Sequence, residues 1–316
     1  MTTSGSIDFA LTRDNISTHI LRLLGIITKG ETADSNDLSF CSNALNMMVK
    51  SWQTDGIHLW AQSQALIPLI SGRNEYIIDG TTTNQVGGDK AHNTTLSAAA
   101  SAGASSITVT SATWANVSDY VVIELDDETI QTTTISSIST TTLTLAATVT
   151  SAAASGNNVI IFTSLLNRPI EINSAQYRYR DGTERTLSIL SRSKFMALPN
   201  KGATGSPTAM YYTPQLSNGR LYVWPTPENA SDMLSIAYQR TLEDFDAAGN
   251  NPDLPQEWLD ALVYNGAVRV APAFGISLNK VSPEIIQIAV QTRENLKAWD
   301  FESGAVQITP NYRHNG

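Results

Sequence analysis

The sequence has 316 residues, which is enough for two or three ordinary domains with a sizeable buried core. Its single cysteine, Cys41, excludes an internal disulfide framework and a multi-cysteine zinc site, and it fits a buried thiol in a reducing compartment. The net charge of -9, from 20 basic and 29 acidic residues, argues against a protein that binds nucleic acid through many phosphate contacts.

Two amphipathic helices are predicted at the N-terminal end. The first covers about residues 13–25, where apolar residues recur at helical spacing. The second begins at the capping candidates Asp34 and Ser35 and ends at Gly56. Its apolar residues lie three or four positions apart and form one continuous stripe, made of Leu38, Cys41, Leu45, Met48 and Trp52.

Strand patterns follow the second helix and resume after residue 167. They are richer in aromatic residues and arginine than the stretch between them, and we expect them to form one sheet. Two of the segments read as hairpins because a turn-forming dipeptide interrupts them. The segments are residues 66–80; 173–190, with a turn at Asp181-Gly182; 209–225, with a turn at Asn218-Gly219; and 233–240.

The intervening stretch has a different composition. No lysine or arginine occurs between Lys90 and Arg168, and Ser, Thr and Ala dominate. Short β-branched runs separated by turn-formers predict a small sandwich or barrel inserted at residues 92–164. The acidic cluster Glu124–Glu128 falls where one strand turns into the next. Because it lacks the D-x-D-x-D-G pattern, a solvated turn is favoured over a cation site.

Two more helices are predicted near the C-terminal end. One covers residues 254–271, with Pro255 at its first position, and Pro272 breaks it. The other covers residues 282–304 and starts at the N-cap Ser282. The stripe of this last helix consists of Ile285, Ala289, Leu296 and Trp299.

These elements predict an α+β fold. Helices at both ends of the chain can bury their stripes only against each other, which predicts a discontinuous four-helix domain of residues 1–62 and 250–304. A large β insertion, residues 63–91 and 165–249, itself carries the Ser/Thr-rich module at 92–164. Residues 305–316 have no helical period and are expected to form an extended arm. The expected helical core consists of Leu24, Leu45, Met48, Trp52, Leu262, Val270 and Leu296.

The sequence offers little that points to chemistry. Its four histidines have no partners at metal-binding spacing, and no G-x-S-x-G, P-loop or G-x-G-x-x-G occurs, so we predict no catalytic residue, metal or cofactor. There is no signal-peptide pattern and no apolar run of roughly 18 to 20 residues, so no membrane partner is expected. Residues 168–201 carry seven basic and three acidic residues. A solvated sheet face is the simpler interpretation, but Arg178, Arg180 and Arg185 are candidates for a subunit contact.

The helical segments resemble a known family. HILRLLGI, followed by DSNDLSFCSNALNMMVKSWQTDGIHLW, resembles the opening of the head-to-tail adaptor (head-completion) proteins of tailed bacteriophages, through Leu24–Ile26 and Trp52–Gly56. LPQEWLDALVYNGAVRVAPAFGI is similar to the third helix of that family, with Arg269–Pro272 as its closing step. The β segments around residues 205–208 and 224–227 are similar to tail tubular proteins of short-tailed phages. The large central β insertion departs from the compact members, which are nearly all helix there.

The resemblance implies a structural virion protein that is not an enzyme. It implies a homo-oligomeric, dodecameric ring at the head–tail junction, assembled in the host cytoplasm, which extends the DNA channel and helps to retain packaged DNA. The implied partners are the portal protein, the tail nozzle or tail tube protein and, as a further candidate, a tail fibre. Double-stranded DNA would pass without specific binding. Contact with portal or a neighbouring subunit is expected through Trp299, Phe301, Ile308, Tyr312 and Arg313.

Two other functions remain open at this point. A phage decoration or receptor-facing β protein, anchored by its helices, would use the Ser/Thr-rich module as its contact surface. A cell-wall hydrolase would need paired carboxylates such as Glu124 and Asp126, but nothing in the sequence places two carboxylates across a cleft.

Overall fold

The computed structural model describes residues 9–55, 61–81, 91–179, 181–229 and 232–299. The chain divides into two compact units, one formed by Met1–Trp60 with Leu242–Gly316 and the other by Ala61–Thr241. The described residues form fourteen strands and five α-helices, which confirms the mixed α+β class. The helices are α1 (Arg13–Leu23), α2 (Ser35–Thr54), α3 (Arg192–Met196), α4 (Leu259–Val270) and α5 (Pro283–Trp299).

The ends of the long helices follow the local capping signals. The side chains of Thr12 and Asp34 each accept a hydrogen bond from a backbone N–H in the first turn of α1 and α2. The predicted end of α2, Gly56, lies outside the described residues. The expectation that Pro255 occupies the first helical position is wrong, because it is extended and precedes a short 3₁₀ turn at Gln256–Trp258.

Helix α4 contacts the other three long helices of the first unit. It lies close to α1 and α2 at Gly266, where a Cβ would lie 2.6 Å from Ile20 Cδ1 and 3.2 Å from Leu45 Cδ2. Just before α4, Trp258 is 1% exposed and its ring centroid lies 5.9 Å from that of Trp52. The inward face of α4 thus has a close backbone approach at Gly266, and a buried aromatic contact lies just before its first residue.

Polar contacts attach α5 to its neighbours. Asn265 Nδ2 of α4 donates a hydrogen bond to the carbonyl of Ala289, at 3.1 Å. Arg293 forms an ion pair with Asp55, the residue that follows α2. Ala289 is buried at the same face of α5.

The chain re-enters the first unit along α2. Phe245 N donates to Asn46 Oδ1 at 2.8 Å, and Lys50 Nζ lies 2.8 Å from Asp244 Oδ1. Segments from both ends of the sequence therefore contribute to one packed unit.

Eight strands of the second unit form two four-stranded sheets, in the orders β1-β14-β9-β10 and β11-β12-β13-β2. The hairpins predicted at Asp181-Gly182 and Asn218-Gly219 are confirmed as β9–β10 and β12–β13. The strands are β1 (Gln62–Pro68), β2 (Glu75–Ile78), β3 (His92–Thr95), β4 (Ser106–Thr108), β5 (Tyr120–Glu124), β6 (Ile130–Ser139), β7 (Thr142–Leu145), β8 (Asn158–Phe162), β9 (Glu171–Arg178), β10 (Glu184–Thr186), β11 (Ser188–Ile189), β12 (Ala209–Pro214), β13 (Gly219–Trp224) and β14 (Met233–Gln239).

The prediction that these segments form one sheet is wrong. β1 pairs with β14, whereas β2, which follows it closely in the chain, pairs with β13 in the other sheet. Side chains from both sheets share one core, which includes Ile67, Tyr76, Leu221 and Ile236. One sheet alone would leave these apolar side chains in water, whereas two facing sheets bury them against each other.

The remaining six strands form the Ser/Thr-rich module, in the order β3-β8-β5-β6-β7-β4. Its two edges meet, because Leu96 bridges Val109 and Ser97 N donates to the Thr108 carbonyl at 2.9 Å. The sheet therefore curls into a barrel-like module with an aliphatic core of its own. A small outer cluster attaches it to β14, and the buried members of that cluster are Val122, Ile160, Phe162 and Met233.

Candidate functional site

Metal-ligand clusters and reactive thiols are features of many enzyme sites. The described residues contain no cluster of three or more His, Cys, Asp or Glu side chains that could hold a metal ion. None of the described helices is long and apolar enough to cross a membrane. Cys41 is fully buried, and its burial, together with nearby Asp37, raises the pKa of the thiol to about 11. Such a thiol is a poor nucleophile at neutral pH.

The acidic cluster Glu124–Glu128 forms the turn between β5 and β6, and Asp126, Asp127 and Glu128 are exposed there, as expected for a solvated turn. Two of its carboxylates also accept hydrogen bonds from the protein. Asp126 Oδ1 accepts hydrogen bonds from Ala154 N at 2.8 Å and from Asn157 Nδ2 at 2.9 Å. Glu124 Oε2 accepts one from Asn158 N at 2.8 Å. These carboxylates hold the loop that leads into β8, which gives them a structural role.

The arginines of β9 and β10 make contacts inside their own unit. Arg178 Nε lies 3.9 Å from Glu184 Oε1. The Arg185 guanidinium lies over the ring of Tyr177, 5.7 Å from its centroid, and donates to a backbone carbonyl. Arg180 lies outside the described residues. A subunit contact through these three arginines stays a prediction.

The residues expected in the helical core differ in their exposure. Leu24 is half-buried, because it lies in the turn that follows α1 and not on the helix itself. The other six are buried, namely Leu45, Met48, Trp52, Leu262, Val270 and Leu296.

The residues expected to contact portal lie at or beyond the end of α5. Trp299 is 64% exposed, so the buried stripe of α5 does not extend to it as predicted. It lines an open depression of about 450 Å³ together with Leu296 and Glu257. The remaining residues of this set, Phe301, Ile308, Tyr312 and Arg313, and the expected arm at 305–316 lie outside the described residues.

A second apolar surface, which the sequence analysis missed, lies along the first half of α5. Leu278 is 48% exposed and Val290 is 59% exposed. The sequence feature that could have indicated this surface is the run Ile285–Val290, in which apolar residues occupy more than one side of the helix. This surface, called the α5 groove from here on, encloses about 750 Å³ and is lined by Leu278, Asn279, Val281, Pro283, Ile286, Gln287, Val290 and Gln291.

A third apolar surface lies on the outer side of α2. Phe40 is 44% exposed and Met47 is 57% exposed, and a separation of seven residues places them on the same side of the helix. The ring of Phe40 meets that of Phe274 edge-on, with centroids 5.5 Å apart. We call Phe40 and Met47 the α2 outer stripe.

The last two surfaces share their chemistry. No Asp, Glu, Lys or Arg occurs from Leu38 to Val49 or from Ile285 to Thr292. Exposed apolar side chains in uncharged surroundings are typical of surfaces that contact other proteins. Both surfaces therefore have exposed apolar side chains of the kind found in protein contacts.

Comparison with known proteins adds one match. A family model described as SU10 adaptor protein matches residues 93–292, which is more than half of the chain. The matched range runs from β3 into α5. It includes Arg269–Pro272, on which the resemblance to phage adaptors partly rests, but neither Leu24–Ile26 nor Trp52–Gly56. No curated protein matches the chain significantly.

Proposed function

The chain belongs to the SU10 adaptor protein family, and from this premise we propose that it is a structural protein of the phage virion that joins head to tail. The family match carries this proposal. The exposed, uncharged faces of α2 and α5 support it, because a connector works by binding other protein subunits. Its partners are then portal and tail components, and it acts without catalysis.

The subunits would form a closed ring below the portal, dodecameric as the sequence resemblance implies. A closed ring needs two different contact surfaces on each subunit, and the α2 outer stripe and the α5 groove meet that need. In this arrangement residues 1–62 and 250–304 form the ring. The β domain (63–91 and 165–249) and its module (92–164) would face the nozzle or tube of a short tail.

The portal contact is assigned to the C-terminal end. Trp299 leaves its indole exposed at the last turn of α5, a few residues before the segment expected to form the arm. Trp299 and Phe301 would anchor the base of this arm, and Ile308, Tyr312 and Arg313 would bind portal or the next subunit.

Double-stranded DNA would pass through the ring without being bound. The net charge of -9 supports this, because a negative wall repels phosphate groups and does not trap them. The ring would help to retain packaged DNA by closing the channel with its tail partners. Assembly would take place in the host cytoplasm.

Attachment to purified portal, imaged by negative-stain electron microscopy, tests the proposal. The full chain should form rings on portal, and a variant without residues 305–316 should not attach although its helix content is unchanged. Trp299→Ala should weaken attachment about tenfold. Leu216→Ala is the control, because Leu216 is 99% exposed in the β unit. Binding to the capsid surface in place of portal would favour a decoration protein, and unimpaired attachment without residues 305–316 would refute the role of the arm.

A further inference from the structure

We propose that the α5 groove of one subunit receives the α2 outer stripe of the next copy of this chain. This inference rests on the proposed ring, and it identifies the two surfaces that close it. Both surfaces are exposed within a single subunit, so no described residue of that subunit fills its groove. When each subunit uses its groove for one neighbour and its stripe for the other, the contact is head-to-tail, which is the type that closes into rings.

The two surfaces match in length. Phe40 and Met47 are separated by seven residues, which is about 10 Å along a helix. Pro283 and Val290, at the two ends of the helical wall of the groove, have the same separation. The two protruding side chains of the stripe can therefore lie at both ends of the groove at once.

Their polar surroundings also match. Asn43 is exposed between Phe40 and Met47, and the groove has side-chain amides at its rim, including Gln287 and Gln291. Amide groups both donate and accept hydrogen bonds, so the two rims can pair without burying a charge.

Charged residues flank both ends of each surface, namely Asp37 and Lys50 on the stripe and Lys280, Glu284, Arg293 and Glu294 on the groove. Asp37 lies nearly one turn before Phe40, and Lys280 lies two residues after Leu278 at the mouth of the groove. In the orientation that pairs Asp37 with Lys280, Phe40 lies near Leu278 and Met47 lies near Val290. This pairing of positions is what a cross-linking experiment can detect.

Engineered cysteines test the contact in the full-length chain. The native Cys41 is fully buried, so it contributes little background. Under mild oxidation a mixture of Met47→Cys and Val290→Cys chains should form a disulfide-linked dimer, and neither variant should do so alone. A chain carrying both substitutions should form a ladder of linked subunits. Leu216→Cys in place of Met47→Cys is the control and should form no link.

Different results separate this inference from the function proposed above. Dimers of Val290→Cys alone would show a symmetric contact, and a link between Val290→Cys and Ile308→Cys would show that the C-terminal segment fills the groove. Either result would overturn the inference. Rings seen by electron microscopy without a 47–290 link would also overturn it, but they would leave the adaptor function standing. No rings, with or without portal, would refute the ring and the contact together.

A charge substitution gives a second, independent measurement. Met47→Glu or Val290→Glu should reduce ring assembly about tenfold at a given concentration. The thermal unfolding midpoint should not change, because both side chains are more than half exposed. The double variant Met47→Glu/Val290→Lys should recover assembly, and failure to recover it in a folded protein would count against the pairing.

Discussion

Packing at Gly266 determines how closely α4 can approach α1 and α2. Gly266→Ala would place a methyl group 2.6 Å from Ile20 Cδ1 and 3.2 Å from Leu45 Cδ2. Apolar carbons in contact are normally about 3.5 to 4.0 Å apart. Ile20 and Leu45 are both 0% exposed, so neither side chain can move away into solvent. The substitution therefore forces the three helices apart or distorts a rotamer.

Two effects of opposite sign set the size of the change. Alanine is more favourable than glycine inside a helix by about 1 kcal/mol. Extra methyl groups in a well-packed core cost about 1 to 3 kcal/mol. We expect Gly266→Ala to lower the free energy of unfolding of the helical unit by about 1 kcal/mol, and Gly266→Leu to lower it by about 3 kcal/mol.

A double-mutant cycle identifies the cause of that loss. Ile20→Val removes the Cδ1 atom that clashes, at a cost of about 1 kcal/mol when it is made alone. In the Gly266→Ala background, Ile20→Val should cost less than it does alone, with a coupling of about 1 kcal/mol between the two sites. Gly249→Ala is the control, because nothing lies within 4 Å of its added Cβ. Urea unfolding followed by far-ultraviolet circular dichroism measures the stability of the four proteins of the cycle and of the control. Additive effects, or a Gly266→Ala protein more stable than wild type, would refute the packing.

Four other substitutions or treatments have defined outcomes. Asn265→Ala should lower the unfolding free energy by about 1 kcal/mol, because it removes the bond from α4 to α5; an unchanged urea midpoint would contradict that bond. Asp55→Asn should cost less than about 1 kcal/mol, and less still at high salt, since the ion pair with Arg293 is partly exposed; a loss that salt does not change would speak against it. Cys41 in the folded protein should react slowly with thiol reagents at neutral pH and faster as the pH approaches its raised pKa of about 11, and rapid labelling at neutral pH would contradict its burial. The same shift means that Cys41 favours the folded state below its ordinary pKa of 9.0, and this contribution falls as the pH rises from there to about 11. Asp126→Ala should speed hydrogen exchange of the loop before β8, and equal exchange rates would show that the carboxylate does not hold that loop.

Features that depend on neighbouring residues could be predicted from the sequence. Asp34 caps α2 through a hydrogen bond to the first turn, and Asn218-Gly219 lies at the turn of the β12–β13 hairpin. The stripe from Cys41 to Trp52 is buried as its period predicts. Each of these features is decided by contacts within a few positions along the chain, so the local pattern is enough.

Strand partners could not be predicted in the same way. β1 and β2 follow one another closely, yet each pairs with a strand from the far side of the inserted module. An alternating pattern shows that one face of a strand is buried, but it does not show which other strand lies beside it. The bridge between Leu96 and Val109, which curls the module, could not be predicted for the same reason.

The sequence by itself determined the four long helices, the cap of α2 at Asp34, the two hairpins and the composition boundary of the module. The tertiary structure alone decided which apolar side chains stay on the surface. On α5 the apolar residues occupy more than one side, and α4 covers the side that carries Ala289 while Val290 remains exposed. The periodicity of a sequence shows how apolar one face of a helix is, but the burial of that face depends on whether another element packs against it. The surfaces left uncovered in this way, the α5 groove and the α2 outer stripe, are those through which a connector subunit would bind its neighbours.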